Sequence, residues 1–282
     1  MPGTLHVVAT PIGNLEDISA RALRVLREAT LIAAEDTRRT KRLLARYAIV
    51  TPTTSLHEHN ERAKAASLVD RLLRGDNIAL VSDAGTPLIS DPGHRLIQAA
   101  IEAGLRVEPI PGPSAVLAAL VVSGLFTNIF TFVGFPPARG KDRTGWFNDL
   151  RHLSGTVVFF ESPHRIRRTL EQLKDIVGDC QICVARELTK IHEELVRGPI
   201  YEVLDRLQAP RGEFAVVAKI GCLTENTRPE AESADTELLS EFGQLTDYKG
   251  IGRRQAIAEL ARRHSRAPND VYKALERARK LV

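Results

Sequence analysis

The sequence predicts an α/β protein: two α/β domains that share a cleft, followed by a small helical domain. Three observations predict it. Short apolar runs alternate with helical stripes, the pattern of a mostly parallel sheet with helices on its faces. Loops rich in glycine and proline follow several of those runs, where open α/β sheets hold their ligands. A polar, acidic stretch then separates these elements from a basic helical end.

His6-Val7-Val8-Ala9 reads as the first strand. Ser19 to Ala29 carries Ala22, Leu23, Leu26 and Ala29 on one helical stripe. Leu31-Ile32-Ala33-Ala34 is a second strand, Glu61 to Leu73 a helix, and Ile78 to Val81 a further strand. A helix around Leu96 to Ile101 precedes a strand from Arg106 to Ile110. Pro109-Ile110-Pro111-Gly112-Pro113 breaks the pattern, and Ser114 caps a helix that runs to Val122. Beyond it, Phe130–Val133, Thr156–Phe160, Ile182–Ala185 and Phe214–Ala218 read as closely spaced strands, with helices at Ile166 to Val177 and Ile200 to Leu207. This half is richer in strands and suits a mixed sheet. Domains are expected at 1–115, 116–223 and 236–282, with 224–235 as a linker. Three helices are expected at the end: Glu237 to Leu245, Arg253 to His264 and Asn269 to Leu281.

The 282 residues suffice for two α/β domains or one large one. No apolar run approaches the length of a membrane span, and no secretory signal opens the chain, so a cytoplasmic protein with no membrane partner is expected. An odd count of 3 cysteines makes no disulfide framework. Cys180 and Cys183 have C-x-x-C spacing, but they fall where a strand should be and no second pair exists. They read as structural. His57 and His59 lack a matching Cys or Asp cluster, so no metal is expected. Net charge is +4, unevenly spread. Thr224 to Asp247 holds seven acidic residues and one basic, whereas Tyr248 to Val282 holds ten basic and three acidic. The basic end suits an acidic partner such as RNA, or a solvated helical face.

Four loops after strands carry unusual residues: Thr10–Leu15, Ser82–Gly93, Pro111–Ala115 and Glu161–Arg165. The second is the richest. Its prolines fix φ, its glycines admit close backbone approach, and Asp83 and Asp91 flank it. Loops after strands of one sheet gather at one edge, so the four suit one cleft. The chain has no phosphate loop of the form G-x-x-x-x-G-K-[ST] and no G-x-G-x-x-G.

Pro11-Ile12-Gly13-Asn14-Leu15, Glu35-Asp36-Thr37-Arg38, Ser82-Asp83-Ala84-Gly85-Thr86-Pro87, Ser90-Asp91-Pro92-Gly93, Pro111-Gly112-Pro113-Ser114-Ala115 and Phe160-Glu161-Ser162-Pro163-His164-Arg165 together resemble the tetrapyrrole-methylase superfamily. The resemblance runs from about Leu5 to Ile220 and is narrower to the RNA-modifying branch. Members acting on tetrapyrroles usually carry V-G-x-G-P-G in the first loop, and here Val8-Ala9-Thr10-Pro11-Ile12-Gly13 stands in its place. The resemblance implies S-adenosyl-L-methionine in a cleft between two α/β domains. It also implies methylation of the ribose 2′-hydroxyl of a cytidine in 16S ribosomal RNA of the small ribosomal subunit, and a homodimer.

Backbone groups of Pro11, Ile12, Gly13, Gly85, Thr86, Pro87, Ser114 and Ala115 suit the cofactor's amino-acid tail, ribose and adenine. Asp83 suits a cofactor hydroxyl or the cation. The resemblance implies that Phe160, Arg186, Phe214 and Ala215 contact the adenosine, while plain core packing is the other reading of Phe160 and Phe214. A hydroxyl is a poor nucleophile, so a general base helps. Candidates are Asp36, His57, Asp91, Glu161, His164 and Glu187. Asp36 lies in a stretch where Arg38, Arg39, Lys41 and Arg42 suit phosphates, and Arg38 is a catalytic candidate beside it. The same stretch also reads as a capped helix start with a solvated basic face. His57, Arg253 and Arg254 are further RNA candidates. The C-terminal helices resemble a helix-turn-helix module, with RNA docking and simple packing both open. A tetrapyrrole methylase of the same fold and a non-enzymatic RNA-binding assembly factor are the competing functions. The basic cluster argues against the first and the intact loop set against the second.

Overall fold

A computed structural model describes residues 1–207, 211–221, 238–239, 241–242, 245–246, 252–264 and 266–279, with the side chains of 277–279 left aside. The chain divides into two compact units, Met1–Gly221 and Cys222–Val282.

The first unit holds two five-stranded sheets. The first sheet contains β1 (Thr4–Val8), β2 (Leu31–Ala34), β3 (Thr53–Ser55), β4 (Ile78–Val81) and β5 (Arg106–Ile110), in the order β3-β2-β4-β1-β5. Every pair is parallel. β2 and β4 are buried at every position, as their unbroken apolar runs require of strands covered on both faces. Alternate residues serve opposite faces. Ile32 and Ala34 pack with α1 (Ala20–Glu28) and α2 (Thr37–Arg46), while Leu31 and Ala33 pack with α3 (Glu61–Leu73) and α4 (His94–Glu102). Because the strands are parallel, the segments leaving β1, β2, β4 and β5 emerge at one edge.

β5 leads into α5 (Ala115–Val122), whose Val116, Ala119 and Leu120 pack on the second sheet. That sheet contains β6 (Phe130–Phe132), β7 (Gly155–Glu161), β8 (Gln181–Arg186), β9 (Glu194–Pro199) and β10 (Phe214–Ile220), in the order β6-β7-β10-β8-β9. β6 and β7 are parallel and the other pairs antiparallel, the mixed sheet expected. α6 (Gly140–Leu150), α7 (Ile166–Val177) and α8 (Ile200–Arg206) cover the face opposite α5. Cys180 packs on the side of α7 and α8, and Cys183 on the side of α5. Three residues apart at the start of a strand, they face opposite ways and share no site.

β3, α6 and β9 had no sequence signal. β3 is Thr-Thr-Ser, α6 begins at Gly140 and interrupts its stripe at Gly145, and β9 carries Glu194 and Arg197. Each is held by a neighbour's ladder or core instead of by its own pattern.

In the second unit, α9 (Arg253–Arg263) and α10 (Pro268–Arg279) share a core of Ala256, Leu260, Val271 and Ala274 with Leu238, Phe242 and Leu245. The expected linker at 224–235, with Cys222 and Tyr248, lies outside the described residues. No described helix is long and apolar enough to cross a membrane.

Candidate active site

Segments of all four singled-out loops meet at one cavity of about 400 Å³ in the first unit. Two loops of the parallel sheet are tied where they leave it. The Thr10 N–H donates to Gly85 O (2.8 Å) and the Gly85 N–H to Thr10 O (3.0 Å), an isolated antiparallel bridge between otherwise parallel strands. The Thr86 hydroxyl donates to Pro113 O at 3.1 Å and brings in the third loop. Gly85 has φ +80°, and a Cβ there would touch the Ile12 side chain at 3.4 Å. Gly13 has a different constraint. A Cβ on it would lie 2.5 Å from Lys190 Cγ, so only glycine lets the first loop lie against the turn after β8. The Asn14 N–H donates to Thr189 Oγ1 at that contact (2.9 Å).

One wall of the cavity is acidic. Glu35 follows β2, Asp83 follows β4, and Asp91 ends the long loop. The Asp83 N–H donates to Glu35 Oε2 (3.1 Å), the Asp36 N–H donates to Asp83 Oδ1 (3.0 Å), and Arg39 Nη1 lies 3.4 Å from Asp83 Oδ2. Burial pushes the Glu35 carboxyl up, and the nearby Asp83 charge adds to it. Asp91 is pushed up to about 6, first by burial and then by the charges of Glu35 and Asp83, against a hydrogen bond from Ser82. The loop that carries Asp91 holds Leu88 at φ 73° and Ser90 at φ 68°, backbone that non-glycine residues seldom adopt. Such conformations persist where surrounding structure fixes them, often at functional sites.

The other side is apolar: Phe160, Ala185, Phe214 and Ala215 come from strands of the second sheet, and Phe135 and Leu188 from the segments after β6 and β8. Phe160 packs edge-on against Phe132 (5.0 Å between ring centres) and lies 5.4 Å from Phe135. Phe160 therefore packs in the core and also lines the cavity. Phe214 is 3% exposed, yet its edge also reaches the cavity. Ser114 and Ala115 line the cavity where α5 begins, and the Ser114 hydroxyl caps Leu117 N–H.

Glu161 lies behind this wall with its side chain wholly buried. Oε1 accepts from Ser162 N–H (2.6 Å) and Arg165 Nη2 (2.8 Å), and Oε2 accepts from the Thr169 hydroxyl (2.6 Å). The buried Arg143 guanidinium donates to Thr169 Oγ1, Gln172 Oε1 and Pro137 O, while Arg165 donates to Pro136 O. Both Glu161 oxygens are occupied, and the network joins the segment after β6 to the loop after β7.

The other expected residues lie as follows. Ile12, Asp83, Gly85, Thr86, Ser114, Ala115, Phe160, Phe214 and Ala215 line the cavity. Pro11, Gly13, Pro87 and Arg186 do not. Arg186 is held by Glu194 (3.0 Å) and Arg211 O (2.7 Å). Of the catalytic candidates, Asp91 and Glu161 line it, whereas Asp36, Arg38 and His164 do not. Asp36 caps α2, and hydrogen bonds from the Arg38 side chain and backbone hold its carboxyl well below the usual carboxylate range. His164 is exposed. His57 Nε2 meets the Asn60 amide at 2.9 Å, away from the cavity. Arg38, Arg39, Lys41 and Arg42 lie exposed along α2, beside the acidic wall. In the second unit Arg253 and Arg254 are exposed, while Arg262 and Arg263 pair with Glu259. No cluster of metal-ligating side chains occurs among the described residues. Glu35, Phe135, Leu188 and Lys190 were missed as site residues. Only Glu35 had a usable signal, its place at the carboxyl end of a strand.

Residues 4–204 match the family model described as Tetrapyrrole (Corrin/Porphyrin) Methylases. The chain is 42% identical over 274 residues to ribosomal RNA small subunit methyltransferase I of Halalkalibacterium halodurans, covering 96% of this chain and 93% of that protein. It is 40% identical to the protein of the same name from Bacillus subtilis, covering 96% and 94%. Among solved structures, diphthine synthase superposes with a TM-score of 0.61 at 15% identity, covering 77% of this chain and 90% of that one. Uroporphyrin-III C-methyl transferase from Thermus thermophilus, complexed with S-adenyl homocysteine, gives 0.56 at 18% identity, covering 76% and 97%. These two likenesses show the fold.

Proposed function

The chain belongs to the tetrapyrrole (corrin/porphyrin) methylase family, and on that premise we propose that it moves a methyl group from S-adenosyl-L-methionine to the ribose 2′-hydroxyl of a cytidine in 16S ribosomal RNA of the small subunit. One observation carries the reading. An aromatic wall and an acidic wall enclose one cavity, and an exposed basic helix face begins at the acidic side. The family premise supplies a methyl donor, the relatives' shared name supplies the RNA, and the ribose oxygen follows from the motif resemblance.

The cavity fits the cofactor. Its volume of about 400 Å³ falls within the roughly 300–1,000 Å³ of small-molecule sites. Phe160 and Phe214 offer apolar surface to an adenine. The first N–H groups of α5, at Ala115 and Val116, lack intrahelical partners and suit a polar group of the cofactor. When bound, S-adenosyl-L-methionine supplies an electrophilic methyl on a sulfonium. The protein's part is to exclude water, align the hydroxyl in line and neutralise charge. Arg38, Arg39, Lys41 and Arg42 hold phosphates on either side of the target ribose, and Arg253 and Arg254 add salt-dependent contacts. Residues 1–115 and 116–223 each bring one sheet to the cavity, and 236–282 forms the auxiliary helical domain. Leu117 and Val121, one turn apart on α5, are exposed apolar residues, and their side of the helix is the surface on which two copies would meet.

The test is methyl transfer from labelled cofactor to purified small subunits, followed by nucleoside mass spectrometry. A 2′-O-methylcytidine product supports the reading. Incorporation at a base, or none with cofactor binding intact, sinks it and returns the tetrapyrrole substrate.

A further inference from the structure

We propose that Asp91 is the proton acceptor of this transfer, held in a carboxylate wall that Glu35, Asp83 and Arg39 organise. The inference rests on the methyl-transfer reading above and deepens it. The geometry eliminates the other candidates. Asp36 has both oxygens on Arg38: Oδ1 takes the backbone N–H (2.8 Å) and Nε (3.1 Å), and Oδ2 takes Nη2 (2.8 Å). Glu161 is enclosed and saturated. Glu187 Oε1 accepts from both Lys190 Nζ (2.9 Å) and Glu213 N–H (3.0 Å). Neither histidine candidate lines the cavity. Of the other carboxylates that line it, Glu213 Oε2 accepts from Lys190 Nζ (3.0 Å), Asp83 bonds Asp36 N–H and Arg39, and Glu35 bonds Asp83 N–H. Asp91 also lines the cavity, and no ion pair among the described residues engages it; the neighbouring Ser82 hydroxyl also reaches Ala84 O (3.4 Å).

Placement supports the assignment. Arg39 both touches Asp83 and heads the basic face of α2. An RNA strand with phosphates on that face delivers a ribose to the acidic wall, not to the aromatic one. In the transfer, the 2′-oxygen bonds the methyl carbon as the carbon–sulfur bond breaks, and that electron pair leaves with sulfur. The hydroxyl proton passes to the Asp91 carboxylate and afterwards to water, so charge and atoms balance. Glu35, Asp83 and Ser82 act on Asp91 from the ends of the first sheet's strands, Arg39 of α2 pairs with Asp83 beside it, and the Gly134 backbone adjoins the Ser90 side chain from the segment after β6. The raised carboxyl is a stronger base than an ordinary aspartate once ionised, and a nearby cationic ligand favours that ionisation.

The experiment compares the full chain with Asp91→Asn and Glu35→Gln. It reads kcat from pH 5 to 8, S-adenosylhomocysteine affinity by calorimetry, and the Asp91 carboxyl by carbon-13 NMR titration. General-base loss is worth roughly 100-fold to 10,000-fold, so Asp91→Asn should lower kcat at least about 100-fold with product affinity unchanged. The wild-type kcat should rise to a plateau along a limb below the ligand-free value of about 6, because the bound cation favours ionisation, and that rise should vanish in the variant. Near-full kcat in Asp91→Asn overturns the proposal. So does transfer of the large loss and of the pH limb to Glu35→Gln. If the wild type methylates no RNA, the functional reading fails instead. The NMR arm still decides the site, because an Asp91 carboxyl that titrates with ordinary aspartates, cofactor bound or free, overturns the assignment.

Discussion

The two walls of the cavity are built by opposite means. On the aromatic side, most residues belong to a sheet, with Phe135 and Leu188 just beyond its strands: Phe160, Ala185 and Ala215 sit in ladder register, with Ala215 opposite Phe160 on one neighbour and Ala185 on the other. On the acidic side, residues sit beyond the ends of strands, on loops that hold positive φ and cross-loop hydrogen bonds. The sheet fixes shape with little charge. The loops place charge and accept backbone strain to do so. Binding surface can thus be supplied by the part of the fold that is hardest to perturb, and reactivity by the part that is least saturated.

The largest expected effect tests whether the aromatic wall depends on what lies behind it. Glu161→Gln leaves the buried Arg143 and half-buried Arg165 guanidiniums without their carboxylate. Breaking such a pair costs about 3–5 kcal/mol, so the urea midpoint should fall sharply. A small shift would mean that Thr169, Gln172 and the Pro136 and Pro137 carbonyls satisfy both cations alone. Next is the charge beside the acidic wall. The triple change Arg38→Ala, Lys41→Ala, Arg42→Ala should weaken subunit binding and lower the salt slope by about 2, at roughly 0.7–0.9 per phosphate contact. Cofactor affinity should not move, and a calorimetric loss would contradict the division of labour. Phe160→Ala should weaken S-adenosylhomocysteine binding about tenfold, or ~1.4 kcal/mol, while kcat at saturation holds. A fall in kcat with affinity intact would break the comparison.

A last effect concerns stability and follows from the raised Asp91 carboxyl. Burial pushes it up to about 6, against 3.8 for an ordinary aspartate. Between those values the native state binds more protons than the unfolded chain, so its contribution is full below 3.8 and is lost as pH rises through 6. Asp91→Asn should therefore match wild type near pH 4 and exceed it in urea at pH 7 to 8. A variant that gains stability while losing activity would show that the acidic wall carries a cost the fold tolerates for function.

The parallel sheet is legible because its central strands Leu31–Ala34 and Ile78–Val81 are apolar throughout, while Arg106–Ile110 stands out by its place between a helical stripe and the proline-rich break. Phe130, Thr156 and Phe214 likewise marked strands of the second sheet. β3 and β9 were not legible, since edge strands with Thr, Ser, Glu and Arg take their conformation from a neighbour's ladder. At the site, glycine and proline punctuation exposed the loops but not what their carboxylates touch. Asp36 and Glu161 looked as reactive as Asp91 in sequence. Their saturation by Arg38, and by Arg165 with Thr169, exists only once the chain is folded.

The reciprocal Thr10–Gly85 bridge gives the molecule a gauge of its own site. Loop amides ordinarily trade hydrogen with water quickly, because brief local openings expose them. These two, at 2.8 and 3.0 Å from their acceptors, tie the two loops where they leave the sheet and exchange only when the loops part. Their deuterium uptake therefore reads the separation of those loops directly, apart from the slow amides of helices and strands.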